Sequence, residues 1–286
     1  MCEVVIAEHA GFCFGVRRAI DKAYAEEGRD RIYTYGSLIH NDEVMRDLAG
    51  RGIRQVDELK TFSSLAPGTV IIRSHGISEA EERFLGQCGH KLIDTTCPYV
   101  KKIHKIVRRA SSAGKQVIIV GDRRHPEIRG ICGWCRHTPF VVETPEEAAE
   151  LPVGNGQKAV VVAQTTFNLL KYRKLVEIIR KREYDIDVLD TICQATEERQ
   201  AATRSLARAA DAMIVVGDRK SSNTRKLYEI SVKECKDTFF VQTASDLEIE
   251  KLVGKKLVGI TAGASAPKNI IEEVLYECQK CLLNKC

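Results

Sequence analysis

The sequence predicts an α/β protein made of three similar units, each a mostly parallel sheet with helices, placed around a common axis. Two observations predict this fold. A cysteine recurs at Cys13, Cys97 and Cys193, separated by 84 and 96 residues, and the sequence around it recurs with it. After each cysteine come a helical pattern, an apolar strand that ends in glycine, and a polar loop. Recurrence in register indicates an internal repeat, and strands that alternate with helices indicate parallel sheets.

The segments before the cysteines are the first elements of the repeat. Asp94-Thr95-Thr96-Cys97-Pro98 corresponds to Asp190-Thr191-Ile192-Cys193-Gln194, and a strand-like run precedes each of them. The N-terminal strand Glu3–Ala7 takes the same place before Cys13. Apolar residues at spacings of three and four then predict a helix after each cysteine, most weakly after Cys193.

Two polar loops follow in each repeat, each after an apolar strand. In the first loop His40 lies 27 residues after its cysteine, and His125 and Ser221 lie 28 residues after theirs. The second loops are Ser74-His75-Gly76, Gln164-Thr165-Thr166 and Thr261–Ser265. Because ligand loops of parallel sheets lie at the carboxyl ends of the strands, three units around one axis would bring together three cysteines and six loops.

The repeat also predicts the domain organisation. We expect α/β units at 14–97, 98–193 and 194–280, with residues 1–13 completing the third unit and residues 281–286 forming a tail.

The composition is that of an ordinary globular protein, with 44% hydrophobic and 29% charged residues. The net charge of +5 suits a small anionic substrate, and cations that we interpret as evenly spread argue against a nucleic-acid partner. Apolar runs of strand length and the lack of a visible targeting segment predict no membrane partner and a cytoplasmic location. Eleven cysteines in such a chain favour metal binding or redox chemistry over disulfides.

Three converging thiolates could hold zinc, a [3Fe–4S] cluster, or a [4Fe–4S] cluster with one iron that lacks a protein ligand. Each cysteine directly precedes a predicted helix, whose N-terminus favours the thiolate. The loops carry compact donors that suit phosphate oxygens. Glu127 is the loop carboxylate that we assign to proton transfer, the alternative being a solvated glutamate that opens a helix.

The ordered set of motifs resembles the 4-hydroxy-3-methylbut-2-enyl diphosphate reductase family of the non-mevalonate isoprenoid pathway. The motifs are Gly11–Ile20, His40-Asn41, Ser74-His75-Gly76, Asp94–Pro98, His125-Pro126-Glu127, Gln164-Thr165-Thr166, Ser221-Ser222-Asn223 and Thr261–Pro267. The resemblance extends across the whole chain.

This resemblance implies that Cys13, Cys97 and Cys193 hold a [4Fe–4S] cluster at the centre of a trefoil of three α/β domains. It implies that Glu127 supplies protons and that Thr165 hydrogen-bonds the substrate hydroxyl, with Thr166 as the second candidate. The implied diphosphate ligands are His40, His75, His125, Ser221, Ser222, Asn223 and Ser265.

The implied reaction is the reductive dehydroxylation of an allylic diphosphate, which gives isopentenyl and dimethylallyl diphosphate. Two electrons from an external donor, such as ferredoxin or flavodoxin, pass through the cluster, which has one open iron site. The product ratio, the oligomeric state, the open or closed state and retention of the fourth iron are not predicted.

Eight cysteines lie outside the family motifs, and five of them occur in pairs or at the terminus. These five form Cys132-x-x-Cys135, Cys278-x-x-Cys281 and the terminal Cys286. Two C-x-x-C pairs formally suggest a second metal site, but incidental reduced thiols are the favoured interpretation.

The residues alone leave two rival functions open. One is a metal-stabilised binding protein for a phosphorylated ligand or nucleic acid, which predicts salt-sensitive polyanion binding without turnover. The other is a zinc hydrolase of phosphate esters, which predicts a colourless protein without bound sulfide.

Overall fold

The structure, a computed structural model, describes residues 3–154, 156–181 and 185–283, with side chains up to residue 280. In chain order its strands are β1 (Glu3–Ile6), β2 (Ile32–Tyr35), β3 (Ile53–Val56), β4 (Thr69–Ile72), β5 (Lys91–Asp94), β6 (Gln116–Val120), β7 (Phe140–Val142), β8 (Lys158–Ala163), β9 (Asp185–Val188), β10 (Ala212–Val216), β11 (Thr238–Val241) and β12 (Leu257–Ala262).

Most of the α-helices connect these strands, and the last one follows β12. They are α1 (Phe14–Tyr24), α2 (Asp42–Gly50), α3 (Glu79–Gln87), α4 (Pro98–Ser112), α5 (Pro126–Cys132), α6 (Pro145–Ala149), α7 (Leu169–Arg180), α8 (Gln194–Ala209), α9 (Ser222–Glu234) and α10 (Lys268–Leu283). In the described part of the chain no helix has the length and apolar character that crossing a membrane requires.

The described strands form three four-stranded sheets that share one topology. Their strand orders are β3-β2-β4-β5, β7-β6-β8-β9 and β11-β10-β12-β1, and every neighbouring pair is parallel. As predicted, the N-terminal strand completes the third sheet, because β1 pairs with β12 from Glu3↔Leu257 to Ile6↔Ile260. The predicted fold class, three similar α/β units, is confirmed.

The central strands β2, β4, β6, β8, β10 and β12 are almost entirely buried, as is typical of parallel sheets that are covered on both faces. In the second sheet, Ile118 and Val120 join one buried cluster, while Val117 and Ile119 join another. This alternation is the two-residue period of a strand. β-Branched side chains suit such positions, so long Val/Ile runs become strands that are buried on both faces.

The chain contains two compact units. The described residues of Met1–Arg17, His40–Val44 and Gln194–Cys286 form one of them and include the third sheet. The described residues of Arg18–Ile39 and Met45–Cys193 form the other and include the first two sheets. The predicted boundaries at 97/98 and 193/194 stay a prediction, although each sheet contains the strands expected for one repeat.

Candidate active site

The three repeated cysteines lie at equivalent positions. As predicted, Cys13, Cys97 and Cys193 directly precede α1, α4 and α8, and all three are partly buried. The backbone N–H of each cysteine donates to one of the three second polar loops. In each case the acceptor lies two residues beyond the end of the strand that precedes the loop. The bonds are Cys97 N to Ser74 O at 2.9 Å, Cys193 N to Thr165 O at 3.1 Å and Cys13 N to Ala264 O at 3.2 Å.

The first polar loop of each repeat ends at a helix N-cap 28 residues after the cysteine. The caps are Asn41, His125 and Ser221, which precede α2, α5 and α9. Each cap side chain accepts a hydrogen bond from the first turn of its helix, from Val44 N at 3.1 Å, Glu127 N at 3.1 Å and Thr224 N at 3.3 Å respectively. Capping of this kind satisfies backbone N–H groups that have no acceptor within the helix.

Asn41 was not among the predicted site residues. Its constant offset of 28 residues from Cys13 was the available signal, and the predicted His40 lies one residue before the cap.

Glu127 is the second residue of α5 and is 1% exposed. Its Oε1 accepts from the backbone N–H of Thr165 at 2.7 Å, and its Oε2 accepts from Thr165 Oγ1 at 2.8 Å. Burial raises the pKa of Glu127 to about 7, against the lowering effect of the two Thr165 hydrogen bonds. A carboxyl group with this pKa can hold or release a proton near neutral pH. The alternative of a solvated glutamate is therefore wrong.

Thr165 and Thr166 differ in their contacts. The Thr165 hydroxyl donates a hydrogen bond to Glu127. The lone pairs of Thr165 Oγ1 therefore stay available to accept a hydrogen bond from another hydroxyl. Thr166 Oγ1 instead accepts from Gln164 Nε2 at 3.2 Å, and Gln164 Oε1 accepts from Asp122 N at 3.1 Å. Of the two threonines, Thr165 is therefore directly linked to the buried carboxyl group.

The compact unit that contains Glu127 and Thr165 also brings His75 and His125 together. Their ring centroids lie 5.3 Å apart, with the ring planes at 81°. Gly76, the next residue in the His75 loop, has φ +76°, and a Cβ there would lie 2.8 Å from His104 Cε1 and 3.0 Å from Thr96 Cγ2. Glycine therefore allows this loop to pack closely against α4.

The other compact unit contains a second group of predicted ligands. Ser265 Oγ donates to His40 O at 2.9 Å, and Asn41 Nδ2 donates to Ser265 O at 2.8 Å. A Cβ on Gly263 would lie 2.0 Å from Thr224 Oγ1, so glycine is required where this loop meets α9.

Asn223 is the second residue of α9 and is 3% exposed. Neither its Oδ1 nor its Nδ2 has a hydrogen-bond partner among the described residues. Buried polar atoms are almost always paired, and an unpaired one costs free energy. Its neighbours Ser221 and Ser222 are also buried, at 5% and 4% exposure. The start of α9 therefore presents polar groups that suit an anionic ligand.

The cysteines outside the repeat lie in different surroundings. Burial raises the pKa of Cys132, and burial together with Cys132 raises the pKa of Cys135 to about 12. Cys278 is 0% exposed in the apolar core of the third sheet. Cys132 and Cys135 pack against the apolar core of the second sheet, the surroundings of inert structural thiols, which favours incidental thiols at these positions. The Cys281 side chain and Cys286 lie outside the described residues.

The cations are not evenly spread, so that expectation was wrong. Helix α4 carries five of them and no acidic residue: Lys101, Lys102, Lys105, Arg108 and Arg109. This helix starts directly after Cys97. A basic cluster therefore does lie beside one of the repeated cysteines.

Comparison with known proteins gives one consistent result. The family model described as LytB protein matches residues 4–279. The chain is 43% identical over 276 residues to the 4-hydroxy-3-methylbut-2-enyl diphosphate reductase of Caldanaerobacter subterraneus subsp. tengcongensis, with 96% of this chain and 95% of the relative covered. It is 40% identical over 279 residues to the protein of the same name from Geobacter sulfurreducens, with 97% of each covered.

Two solved structures are also similar. The E-1-hydroxy-2-methyl-but-2-enyl-4-diphosphate reductase of Plasmodium falciparum superposes with a TM-score of 0.91 at 26% identity, covering 96% of this chain and 87% of that one. A structure of (E)-4-hydroxy-3-methyl-but-2-enyl diphosphate reductase gives a TM-score of 0.70 at 39% identity, covering 98% and 100%.

Proposed function

Because this chain belongs to the LytB protein family, we propose that it removes the hydroxyl group of 4-hydroxy-3-methylbut-2-enyl diphosphate by reduction. The chain is an oxidoreductase, as its relatives are. Two electrons and two protons enter, the carbon–oxygen bond breaks, and the oxygen leaves as water. A carbon–hydrogen bond forms at either end of the allyl group, which gives isopentenyl or dimethylallyl diphosphate. The observation that carries this proposal is the buried Glu127 carboxyl group, held by Thr165 with a pKa of about 7.

We propose that Cys13, Cys97 and Cys193 hold a [4Fe–4S] cluster. The donor set fits this group, because each is a partly buried cysteine at the start of a helix, where the partial positive charge favours the thiolate. Three thiolates leave one iron of such a cluster without a protein ligand. When bound, the cluster would supply single electrons and one open Lewis-acid position.

The diphosphate is bound, in this proposal, by the polar groups at the helix starts and the neighbouring loops. Asn223 is the strongest support, since its two buried polar atoms have no partner among the described residues and a phosphate oxygen would satisfy its Nδ2. The other proposed ligands are His40, His75, His125, Ser221, Ser222 and Ser265. Fixing the charged end of the substrate holds the reacting carbon in one orientation.

Glu127 and Thr165 handle the protons. With a pKa of about 7, Glu127 holds a proton at its carboxyl group in a large fraction of molecules at neutral pH. The Thr165 hydroxyl lies 2.8 Å from Oε2 and can accept a hydrogen bond from the substrate hydroxyl while it donates to Glu127. When Glu127 is protonated, both bonds can reverse: the Glu127 O–H donates to Thr165 Oγ1, and the Thr165 O–H donates to the departing oxygen. A proton then passes from Glu127 through Thr165 to that oxygen.

The reaction needs an external donor of single electrons, of the ferredoxin or flavodoxin class. We also propose a cytoplasmic location, since thiols that bind iron and sulfide persist in a reducing compartment.

Anaerobic purification followed by an assay with reduced methyl viologen tests the function. We expect a brown protein that contains iron and sulfide and converts the allylic diphosphate to both products, detected by mass spectrometry. Cys193→Ser should lower the iron content and abolish turnover. Cys88→Ser, a change of a partly buried cysteine in the first sheet's core, is the matched control and should retain both.

A colourless protein that contains zinc and hydrolyses phosphate esters would contradict the proposal. So would an iron-loaded protein that leaves the allylic diphosphate unchanged.

A further inference from the structure

The three helices that follow the repeated cysteines differ in charge. Helix α4 has five Lys and Arg and no Asp or Glu, a net charge of +5. Helix α8 has three Arg and two Glu, a net charge of +1, and α1 has three cations and Asp21, a net charge of +2. Because all three helices occupy the same position in the repeat, the fold itself does not require the charge of α4.

Three of these cations form one exposed face of α4. Lys102, Lys105 and Arg109 are separated by three and four residues and are all exposed, the spacing of a single helix face. The opposite face, with Val100, Ile103 and Val107, is buried. We call Lys102, Lys105 and Arg109 the α4 basic face.

The α4 basic face has no counter-charge among the described residues. Lys101 pairs with Asp94 and Arg108 pairs with Glu79, but Lys102, Lys105 and Arg109 form no ion pair with any residue that the structure describes. Like charges at these spacings destabilise a helix. Their presence on one face therefore indicates an anionic partner from outside the chain.

The position of this face indicates what the partner does. At a rise of about 1.5 Å per residue, Lys102 lies roughly 8 Å along the helix axis from Cys97. A shallow groove of about 410 Å³ runs beside it and includes Pro98, the residue after Cys97, together with Ile106. Tyr99, three residues before Lys102 on the same helix, is 46% exposed and offers an apolar side chain to a partner. A protein bound here would lie close to a proposed cluster ligand.

We propose that the α4 basic face docks an acidic protein that carries single electrons. This inference rests on the proposed function, which requires two electrons for each substrate. Each docked carrier is oxidised by one electron, so two docking events supply one turnover. The three unpaired cations extend over only about 10 Å of helix, which suits one acidic patch on a small protein better than the long phosphate track of a nucleic acid.

A charge-reversal experiment tests the proposal. The variant Lys102→Glu/Lys105→Glu is compared with Arg173→Glu/Lys174→Glu, which makes the same charge change on exposed residues of α7. A plant-type [2Fe–2S] ferredoxin, photoreduced and acidic, is the electron donor. We expect the α4 variant to lower the second-order rate constant at low salt by at least about tenfold, since electrostatic steering contributes 10- to 1,000-fold. The α7 variant should change it by less than about twofold.

Three further measurements distinguish a defect in docking from a defect in turnover. Reduced methyl viologen, which needs no docked protein, should support equal turnover in all three proteins, so a failure of the proposed function would appear here in the wild type. Calorimetric titration of oxidised ferredoxin measures docking without turnover and should show weaker binding for the α4 variant. Lys102→Gln/Lys105→Gln, a milder change, should give an intermediate loss in both assays.

Equal ferredoxin rates and affinities in the wild type and the α4 variants would overturn the proposal. Unchanged ferredoxin kinetics together with loss of single-stranded DNA binding would also overturn it, and would assign the face to nucleic acid.

Discussion

Glu127 and Asn223 occupy the same position in two repeats, yet they differ in the hydrogen bonds that their side chains form. Each lies 30 residues after its cysteine and is the second residue of its helix, α5 or α9. Both oxygens of Glu127 accept hydrogen bonds from Thr165. Neither polar atom of Asn223 has a partner among the described residues.

The second polar loops of the two repeats explain part of this difference. Thr165 and Ala264 both lie two residues beyond their strands, and the carbonyl of each accepts from the N–H of a repeated cysteine. They are therefore equivalent residues, but alanine has no hydroxyl group to donate. One repeat thus holds an ionisable group within the protein, while the other leaves an amide for a ligand.

The largest expected effect comes from Glu127→Gln, which keeps the shape and removes the acid. We expect iron content and substrate affinity to be retained and turnover to fall by about 10²- to 10⁴-fold, the usual contribution of a positioned acid–base group. The measurement is the anaerobic methyl viologen assay. Glu177→Gln, at an exposed position of α7, is the control and should behave as the wild type. Near-normal turnover in Glu127→Gln would remove this carboxyl group from the mechanism.

Glu127 should also make stability depend on pH. Its pKa is raised from 4.5 to about 7 in the folded state, so the folded protein binds more protons than the unfolded chain between these values. The free energy of unfolding should therefore be highest below pH 4.5 as far as this group is concerned, fall as pH rises towards 7, and stay lower above it. The expected loss is roughly 3 kcal/mol, at about 1.4 kcal/mol per pKa unit.

Urea unfolding of the wild type and Glu127→Gln at pH 5.5 and pH 8 measures this contribution. The variant should lose less stability between the two values than the wild type. Identical pH dependence in both proteins would show that the Glu127 carboxyl group is not held in an environment that favours its protonated form.

Much of the fold was predictable because the repeat supplied the missing context. The strands β2, β6 and β10 are apolar runs that recur at a fixed distance from a cysteine. The edge strands β3, β7 and β11, of three or four residues each, were not predicted. A sequence such as Ile53-Arg54-Gln55-Val56 becomes a strand because β2 offers it a hydrogen-bonded edge, and this is tertiary information.

The candidate site was predictable as a set of residues but not as a set of contacts. Motifs and offsets pointed to Glu127 and Thr165 separately. Their hydrogen bonds join residues 38 positions apart, and no local sequence pattern predicts such bonds. The pKa of Glu127 likewise depends on burial by neighbours from several elements. The charge of α4 was visible in the sequence, but a net charge of +5 for the whole chain concealed it.

The smallest expected effect tests the other half of the comparison. Asn223→Ala removes polar atoms that bond to no described residue, so the free energy of unfolding should change little, whereas substrate affinity should fall about 10- to 100-fold, the equivalent of one lost hydrogen bond to a charged group. Asn168→Ala is the matched control, because Asn168 is similarly buried but its Oδ1 accepts from Lys171 N at 3.0 Å at the start of α7. It should lose about 1 kcal/mol of stability and keep its affinity. Urea unfolding and anaerobic substrate titration measure the two effects, and the opposite pattern would mean that Asn223 serves the fold rather than the ligand.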